Sequence, residues 1–203
     1  MPTRLEVLAM KARSCTNCSL AGLGRTQVVF GMGNPRADLM FVGEGPGAEE
    51  DKQGLPFVGR SGKLLDRLMQ EEIGITRAEC YIANVVKCRP PGNRDPLPEE
   101  ISACRPYIEQ QLEIIAPKVV VTLGRFSSHL LLSTKEPISK LRGRTYPFGA
   151  GVLVPTLHPA AALRGGGEPL AQMRADFIRA KQALERSQLE ESRAHAPAGR
   201  GGA

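Results

Sequence analysis

Four short apolar runs are the features that most strongly constrain how this 203-residue chain folds. Each run is bounded by turn residues and is followed, further along the chain, by a segment with helical apolar spacing. Strands that alternate with helices predict an α/β fold with a mainly parallel sheet that is covered on both faces. The four runs occupy residues 39–42, 81–86, 118–123 and 151–155.

The same kinds of pattern predict the other elements. Ser61 is well placed to cap a helix over residues 63–72, which Gly74 ends. The segment from residue 187 onward lacks apolar periodicity, so we expect a disordered tail. The remaining predictions are helices over residues 3–13, 98–115 and 168–186, a strand over 26–30, and an extended loop with a short strand over 133–150.

Composition limits the class of protein. An apolar content of 41% over this length suits one globular domain, and a net charge of +6 suits a nucleic-acid partner but is weak evidence alone. Because no apolar run approaches a membrane span and the N-terminus lacks a signal pattern, we expect a cytoplasmic protein without membrane contact. Five cysteines, an odd number without a secretion signal, argue against a disulfide framework.

The loop after the first apolar run combines acids with an aromatic residue. Four carboxylates precede Phe57, and glycine-rich turns flank the whole segment. In open α/β sheets, ligands bind beyond the carboxyl ends of strands. The loop is therefore either part of an active site or a tight connection with solvated acids, and this stretch alone favours neither. The acids are Glu44, Glu49, Glu50 and Asp51.

Four of the cysteines have spacing that favours a shared metal. Cys15 and Cys18 form a C-x2-C pair, Cys88 follows in a proline-rich loop, and Cys104 lies early in a predicted helix. Four thiolates can hold zinc or a 4Fe–4S cluster. The wide second pair fits zinc ribbons poorly, but spacing alone does not select iron. The alternative is a set of isolated buried cysteines, and Cys80 fits that description well.

Two further strand ends carry candidate site residues. His158 precedes a proline that keeps it out of helical geometry, where it could donate a hydrogen bond to a developing anion. Asn84 carries an amide that can both donate to and accept from a nucleobase edge. Each residue alone is also a common structural feature at the end of a strand.

Taken together, these residues resemble the uracil-DNA glycosylase superfamily, and specifically its iron–sulfur-bearing fourth family. The resemblance covers residues 3–185, and the cysteines stand in that family's order. Two related branches of the superfamily fit the sequence less well. One lacks the acid at the position of Glu44, and the other, which traps its substrate covalently, has a basic insertion where this chain has Cys88 and the prolines after it. The motifs are residues 43–47 with Glu50 and Asp51, residues 54–59, residues 84–91 and residues 158–161.

The resemblance implies a three-layer α/β/α sandwich with a four-stranded, mostly parallel central sheet. It also implies removal of uracil from DNA. We expect a domain over residues 1–186 that acts as a monomer on single- or double-stranded DNA, followed by a disordered tail over residues 187–203. The resemblance also selects a 4Fe–4S cluster over zinc, with Cys15, Cys18, Cys88 and Cys104 as the ligands.

With that resemblance as a guide, chemistry suggests a role for each site residue. Glu44 would orient the attacking water, and His158 would donate to uracil O2. Phe57 would stack on the base, and Asn84 would bind its Watson–Crick edge. Glu50 would line the pocket near C5 of uracil and exclude thymine by a clash with its methyl group, and the Gly45 backbone amide would approach the base or a phosphate. Asn93 would assist the water or His158, and Glu49 and Asp51 would be solvated acids.

Contacts with the rest of the DNA are expected at helix starts and after His158. Ser61 and Arg125 begin helices, where free amides favour phosphate. Leu163 and Arg164 could enter the space that the extruded base leaves, although ordinary helix packing is an alternative for Leu163. A non-enzymatic iron–sulfur or zinc nucleic-acid-binding protein is the main alternative function, but it leaves Glu44 and Asn84 unexplained.

Overall fold

A computed structural model describes residues 1–194 of the chain as one α/β unit. The strands are β1 (Met32–Gly33), β2 (Leu39–Gly43), β3 (Tyr81–Asn84), β4 (Val119–Leu123), β5 (Tyr146–Phe148) and β6 (Gly151–Thr156). The helices are α1 (Arg4–Arg13), α2 (Ala48–Gln53), α3 (Arg60–Leu68), α4 (Pro98–Ile115), α5 (Arg125–Leu132), α6 (Ile138–Leu141), α7 (Pro159–Gly165) and α8 (Gly167–Ala194). None of these helices is both long and apolar enough to cross a membrane.

The sheet has the strand order β1-β3-β2-β4-β6-β5. The four inner strands are parallel, as the sequence predicts, and β1 and β5 pair antiparallel at the two edges. The predicted count of four strands is therefore too low by two short edge strands. Gly43 pairs with Asn84 and Leu123 pairs with Thr156, so the loops after all four parallel strands begin at one edge of the sheet.

Alternate residues of each strand fill two hydrophobic cores. Phe41 faces α3 and α8 and stacks on Phe177 with ring centroids 5.6 Å apart, whereas Met40 faces α4 on the opposite side. Both cores are fully buried, and burying a side chain such as Phe41 contributes roughly 1.5–3 kcal/mol. These two cores fix the strand ends, because a shift of one residue would move every core side chain of a strand to the opposite face of the sheet.

Several element boundaries differ from the predictions. Residues 26–30 are not a strand: Val29 donates one backbone hydrogen bond to Lys87, at 2.8 Å, and regular pairing begins only at β1. Helix α3 starts at Arg60 with Gly59 rather than Ser61 as its N-cap, since the Gly59 carbonyl accepts the first hydrogen bond of the helix, from the Lys63 amide at 3.0 Å. The predicted helix over residues 63–72 thus starts earlier, and it ends in a π-helical turn, Met69–Ile73.

The C-terminal helix is longer than the sequence pattern predicts. Helix α8 continues to Ala194, and Glu191 pairs with Lys118 at 2.5 Å, so the predicted start of a disordered tail at residue 187 is wrong. The rest of that predicted tail, residues 195–203, lies outside the described residues. The expected loop over residues 133–150 does contain a short strand, β5, but it also contains the unpredicted helix α6.

Candidate active site

A cavity of about 780 Å³ opens where the four parallel strands end. Ten of the eleven residues predicted for catalysis, base binding or DNA contact line it, and the exception is Leu163, which is 41% exposed on α7. The topology brings these residues together from loops that are far apart in sequence. The ten are Glu44, Gly45, Glu50, Phe57, Ser61, Asn84, Asn93, Arg125, His158 and Arg164.

Asn84 presents a buried hydrogen-bond acceptor without a partner. Its side chain is 1% exposed, and its Oδ1 is the one buried side-chain nitrogen or oxygen atom in residues 1–194 that lacks a partner. Its backbone oxygen accepts from the buried Lys87 Nζ at 2.7 Å, which fixes the end of β3. An unpaired buried acceptor costs about 1–3 kcal/mol, so this atom is suited to a ligand that supplies an N–H group.

Gly43 allows the side chains of Asn84 and Phe57 to meet. A Cβ atom at position 43 would lie 2.4 Å from Asn84 Oδ1 and 2.5 Å from Phe57 Cζ. Similarly, a Cβ at Gly45 would lie 2.7 Å from a methyl group of Val86. The glycines of this loop therefore leave the room in which the amide and the aromatic ring share one wall of the cavity.

Phe57 has an unusual backbone conformation. Its φ of 54° lies in the left-handed region, which costs a residue with a side chain of order 1–3 kcal/mol. The ring is 5% exposed, and its centroid lies 5.9 Å from that of the His158 ring at an interplanar angle of 33°. A flat aromatic surface thus stands beside Asn84 Oδ1 and close to His158, which suits stacking on a planar ligand.

Glu50 holds the loop that carries Phe57. Its carboxylate accepts hydrogen bonds from the amides of Val58 at 2.9 Å, Gly59 at 2.8 Å and Gly47 at 3.1 Å. Glu50 lines the cavity as predicted, while its contact with C5 of uracil stays a prediction.

Two neighbouring acids were expected to be solvated, and the structure separates them. Glu49 is exposed and pairs with Lys52 at 3.1 Å. Asp51 is only 3% exposed and accepts from the Thr26 amide at 2.9 and 3.0 Å, so the prediction for Asp51 is wrong. The buried carboxylate joins α2 to the segment before β1, because it satisfies backbone donors there.

Glu44 is half-buried at the end of β2, and its pKa is raised to about 7. Burial is the largest cause, the nearby Asp95 carboxylate also raises the pKa, and Arg125 lowers it. Asp95 and Arg125 form an ion pair with each other at the cavity wall. Sequence patterns miss Asp95, because an acid in a loop rich in proline and glycine has no periodicity that distinguishes it from solvated surface.

His158 is the N-cap of α7, and its Nδ1 accepts from the Ala160 amide at 3.2 Å. The proton of the neutral ring therefore lies on Nε2. Burial is the main cause that lowers the pKa of His158 to about 4, and Arg164 lowers it further. At neutral pH the ring is an uncharged hydrogen-bond donor.

The other predicted residues lie around the rim. Asn93 is exposed with a φ of 56°, and its Oδ1 accepts from Arg89 Nε at 2.7 Å. Ser61 lies in the first turn of α3, and Arg164 is exposed on α7 beside Leu163.

The four cysteines of the predicted metal site line a second, smaller cavity, away from the first. No group of three or more metal-binding side chains in residues 1–194 is set at coordinating geometry. The surroundings nevertheless suit anionic sulfur: Arg25 Nη1 donates to Cys88 Sγ at 2.8 Å, and the Lys87 amide donates to Cys104 Sγ at 3.2 Å. Cys80 lies in the other core, with its Sγ 3.7 Å from Met69 Sδ.

Comparison with known proteins agrees with this geometry. A sequence model of the uracil DNA glycosylase superfamily matches residues 30–185. The chain belongs to this superfamily. It is 47% identical to a type-4 uracil-DNA glycosylase of Sulfurisphaera tokodaii, over 78% of this chain and 76% of that protein. The type-4 enzymes of Saccharolobus solfataricus and Thermotoga maritima are 45% and 46% identical, over 89% and 83% of this chain and 86% and 88% of theirs.

Membership of the uracil DNA glycosylase superfamily confirms the predicted resemblance. The predicted α/β/α sandwich is the fold of this chain. Its cavity lies at the carboxyl ends of the parallel strands, where Glu44, Asn84 and His158 line it.

Proposed function

We propose that this glycosylase hydrolyses the N-glycosidic bond between uracil and deoxyribose in DNA. The unpaired, buried Oδ1 of Asn84 is the observation that carries the proposal. Uracil presents N3–H, a donor, to such an acceptor, whereas cytosine presents a lone pair at the same position. The site therefore favours uracil and opposes cytosine by electrostatics as well as by shape.

Base binding begins with extrusion of the nucleotide from the duplex, which costs a few kcal/mol and is cheapest for weakly paired bases. Stacking on Phe57 offsets this cost, since a base stacked on an aromatic ring is stabilised by about 1–3 kcal/mol. The hydrogen bond to Asn84 adds to the stacking and selects the base.

The bond between C1′ and N1 then breaks, and its electron pair leaves with uracil. His158 Nε2–H donates to O2, where negative charge develops, and the neutral ring does so without transferring its proton. Ionised Glu44 orients water toward C1′, stabilises the oxocarbenium-like centre and accepts the proton of the water. The products are free uracil and an abasic site in the DNA.

DNA outside the pocket meets the rim of the cavity. Ser61 and Arg125 lie at helix starts that favour phosphate, and Arg164 adds a positive charge on α7. Leu163 is exposed beside Arg164, so it can fill the gap in the base stack that extrusion leaves.

The cysteines fit a 4Fe–4S cluster by their chemistry. Cys15, Cys18, Cys88 and Cys104 surround one small cavity, and none is in a disulfide. Arg25 and the Lys87 amide donate to two of the sulfurs, as donors do around anionic thiolates. When bound, the cluster would cross-link the segment after α1, the loop after β3 and helix α4.

Excision assays with oligonucleotides that contain uracil, thymine or cytosine test the proposed reaction, in single and double strands. We expect release of uracil alone. Glu44→Gln should slow excision about 10²–10⁴-fold, because it removes the proton acceptor without changing size, while DNA binding stays within a few-fold. Glu99→Gln is the matched control, since Glu99 is an exposed carboxylate in the first turn of α4 and does not line the cavity. Equal loss of excision and binding in Glu44→Gln would contradict the assigned role.

A further inference from the structure

Arg77 lies behind the cavity wall and binds the loop that carries Phe57. Its Nη1 donates to the Pro56 carbonyl at 2.8 Å, and its Nη2 donates to the Phe57 carbonyl. Its Nε donates to Asp66 Oδ1 of α3 at 2.6 Å. Arg77 is mostly buried, with 20% of its side chain exposed, and it does not line the cavity.

The loop is thus held from two sides by opposite charges. The Glu50 carboxylate accepts from the amides of Val58 and Gly59, directly after Phe57, and the Arg77 guanidinium donates to the two carbonyls at and before Phe57. Between these two attachments, Phe57 has a left-handed φ of 54°. Helix α3 is close as well, because a Cβ at Gly62 would lie 1.6 Å from the Phe57 carbonyl oxygen.

We propose that Arg77 is a positioning residue that holds the ring of Phe57 in place for stacking on uracil. This inference rests on the proposed function and extends it to a residue outside the cavity. The planar guanidinium suits the task, because its fixed fork of donors reaches two adjacent carbonyls and a carboxylate at once. Without it, the two carbonyls lose their donors and the left-handed conformation of Phe57 loses its support.

Binding measurements separate positioning from general stability. The ligands are an oligonucleotide with 2′-fluoro-deoxyuridine, whose fluorine blocks excision, and the same oligonucleotide with an abasic analogue. The Kd for the abasic oligonucleotide divided by the Kd for the uracil oligonucleotide reports how much the base contributes to binding. In Arg77→Gln this Kd ratio should fall about tenfold while the Kd for the abasic oligonucleotide is unchanged. Arg77→Lys should recover part of the loss.

Arg174→Gln is the matched control, because Arg174 is also partly exposed and pairs with Glu71 at 2.6 Å and with Glu72, away from the cavity. It should lower Tm and leave the Kd ratio unchanged. If Arg77→Gln fails to fold, Arg77→Lys and Asp66→Asn replace it, and each should lower the ratio about threefold. An unchanged ratio in the folded variants would overturn the proposal.

A double-mutant cycle tests whether Arg77 acts through Phe57. In the Phe57→Ala background, Arg77→Gln should cause no further loss of base binding, since no ring remains to be positioned. Additive losses would overturn the proposal and show an independent effect of Arg77. If the wild-type protein shows neither a preference for the uracil analogue nor excision, the proposed function is wrong. If the wild-type protein prefers the uracil analogue and Arg77→Gln keeps that preference, only the positioning role of Arg77 is wrong.

Discussion

The electrostatics of Glu44 predict an acidic limb in the pH profile of uracil excision. The pKa of Glu44 is about 7, and only the ionised carboxylate accepts a proton from water. The ionised fraction is about one half at pH 7, about 9% at pH 6 and about 1% at pH 5. The kcat/KM should therefore rise about ninefold from pH 5 to 6 and about fivefold from pH 6 to 7, and it should level off after a further rise of about twofold above pH 7. His158 adds no limb above pH 5, because its pKa is about 4 and it stays neutral.

Asp95 and Arg125 should move this limb in opposite directions. Asp95→Asn removes a negative charge that raises the pKa of Glu44 and leaves Arg125 without its ion-pair partner, so the limb moves to lower pH. Because wild type is only about 9% ionised at pH 6, the variant can gain up to about tenfold in kcat/KM there, relative to its own plateau. Arg125→Gln removes the charge that lowers the pKa, so its limb moves to higher pH.

The measurement is kcat/KM between pH 5 and 9 at constant ionic strength, since this parameter reports the ionisation of the free enzyme. Loss of a phosphate contact in Arg125→Gln lowers the plateau without moving the midpoint, so the two effects are separable. Glu99→Gln changes the net charge as Asp95→Asn does, on an exposed residue in the first turn of α4, and should leave the midpoint in place. A flat wild-type profile, or the same midpoint in Asp95→Asn and wild type, would refute the reasoning.

Further predictions concern stability, base choice, the cysteines and the DNA rim. Glu44→Gln should raise Tm at pH 8 but not at pH 5, because a carboxylate with a raised pKa destabilises the fold increasingly as pH rises toward 7; equal shifts at both pH values would contradict this. Asn84→Asp should reduce uracil excision by at least about 100-fold, since a buried anion replaces the amide, and unchanged kinetics would exclude the assigned contact. The wild-type protein should contain about four iron atoms and absorb visible light, both of which Cys18→Ser should lose, as elemental analysis and spectroscopy can check. Leu163→Ala should slow excision from duplex DNA and not from single strands, and equal slowing would favour a packing role.

The sequence predicts the parallel core of the sheet because its strands are bounded apolar runs, and it predicts Glu44, Asn84 and His158 because they lie near the ends of those runs. Strands that are parallel must end at one edge, which brings the three together without any knowledge of side-chain contacts. The edge strand β1 has only two residues, too few for a pattern to emerge, and the three-residue strand β5 is predicted only as a short strand somewhere in the loop over residues 133–150.

Contacts between distant segments explain what the sequence does not reveal. Asp51 looks like one more surface acid, and only the approach of Thr26, twenty-five residues earlier, makes it a buried acceptor. Arg77 follows a glycine-ended helix in an unremarkable turn, and its partners lie at positions 56, 57 and 66. Both residues act by satisfying backbone or carboxylate groups that no local spacing identifies.

The unpaired oxygen of Asn84 limits how stable this fold can become while it retains its pocket. A buried acceptor without a donor lowers the stability of the free protein by about 1–3 kcal/mol, a sizeable share of the 5–15 kcal/mol that holds a typical domain folded. Selection for heat resistance alone would therefore favour apolar side chains at position 84, and selection for base binding would restore the amide. At position 84 the two demands on this chain therefore conflict.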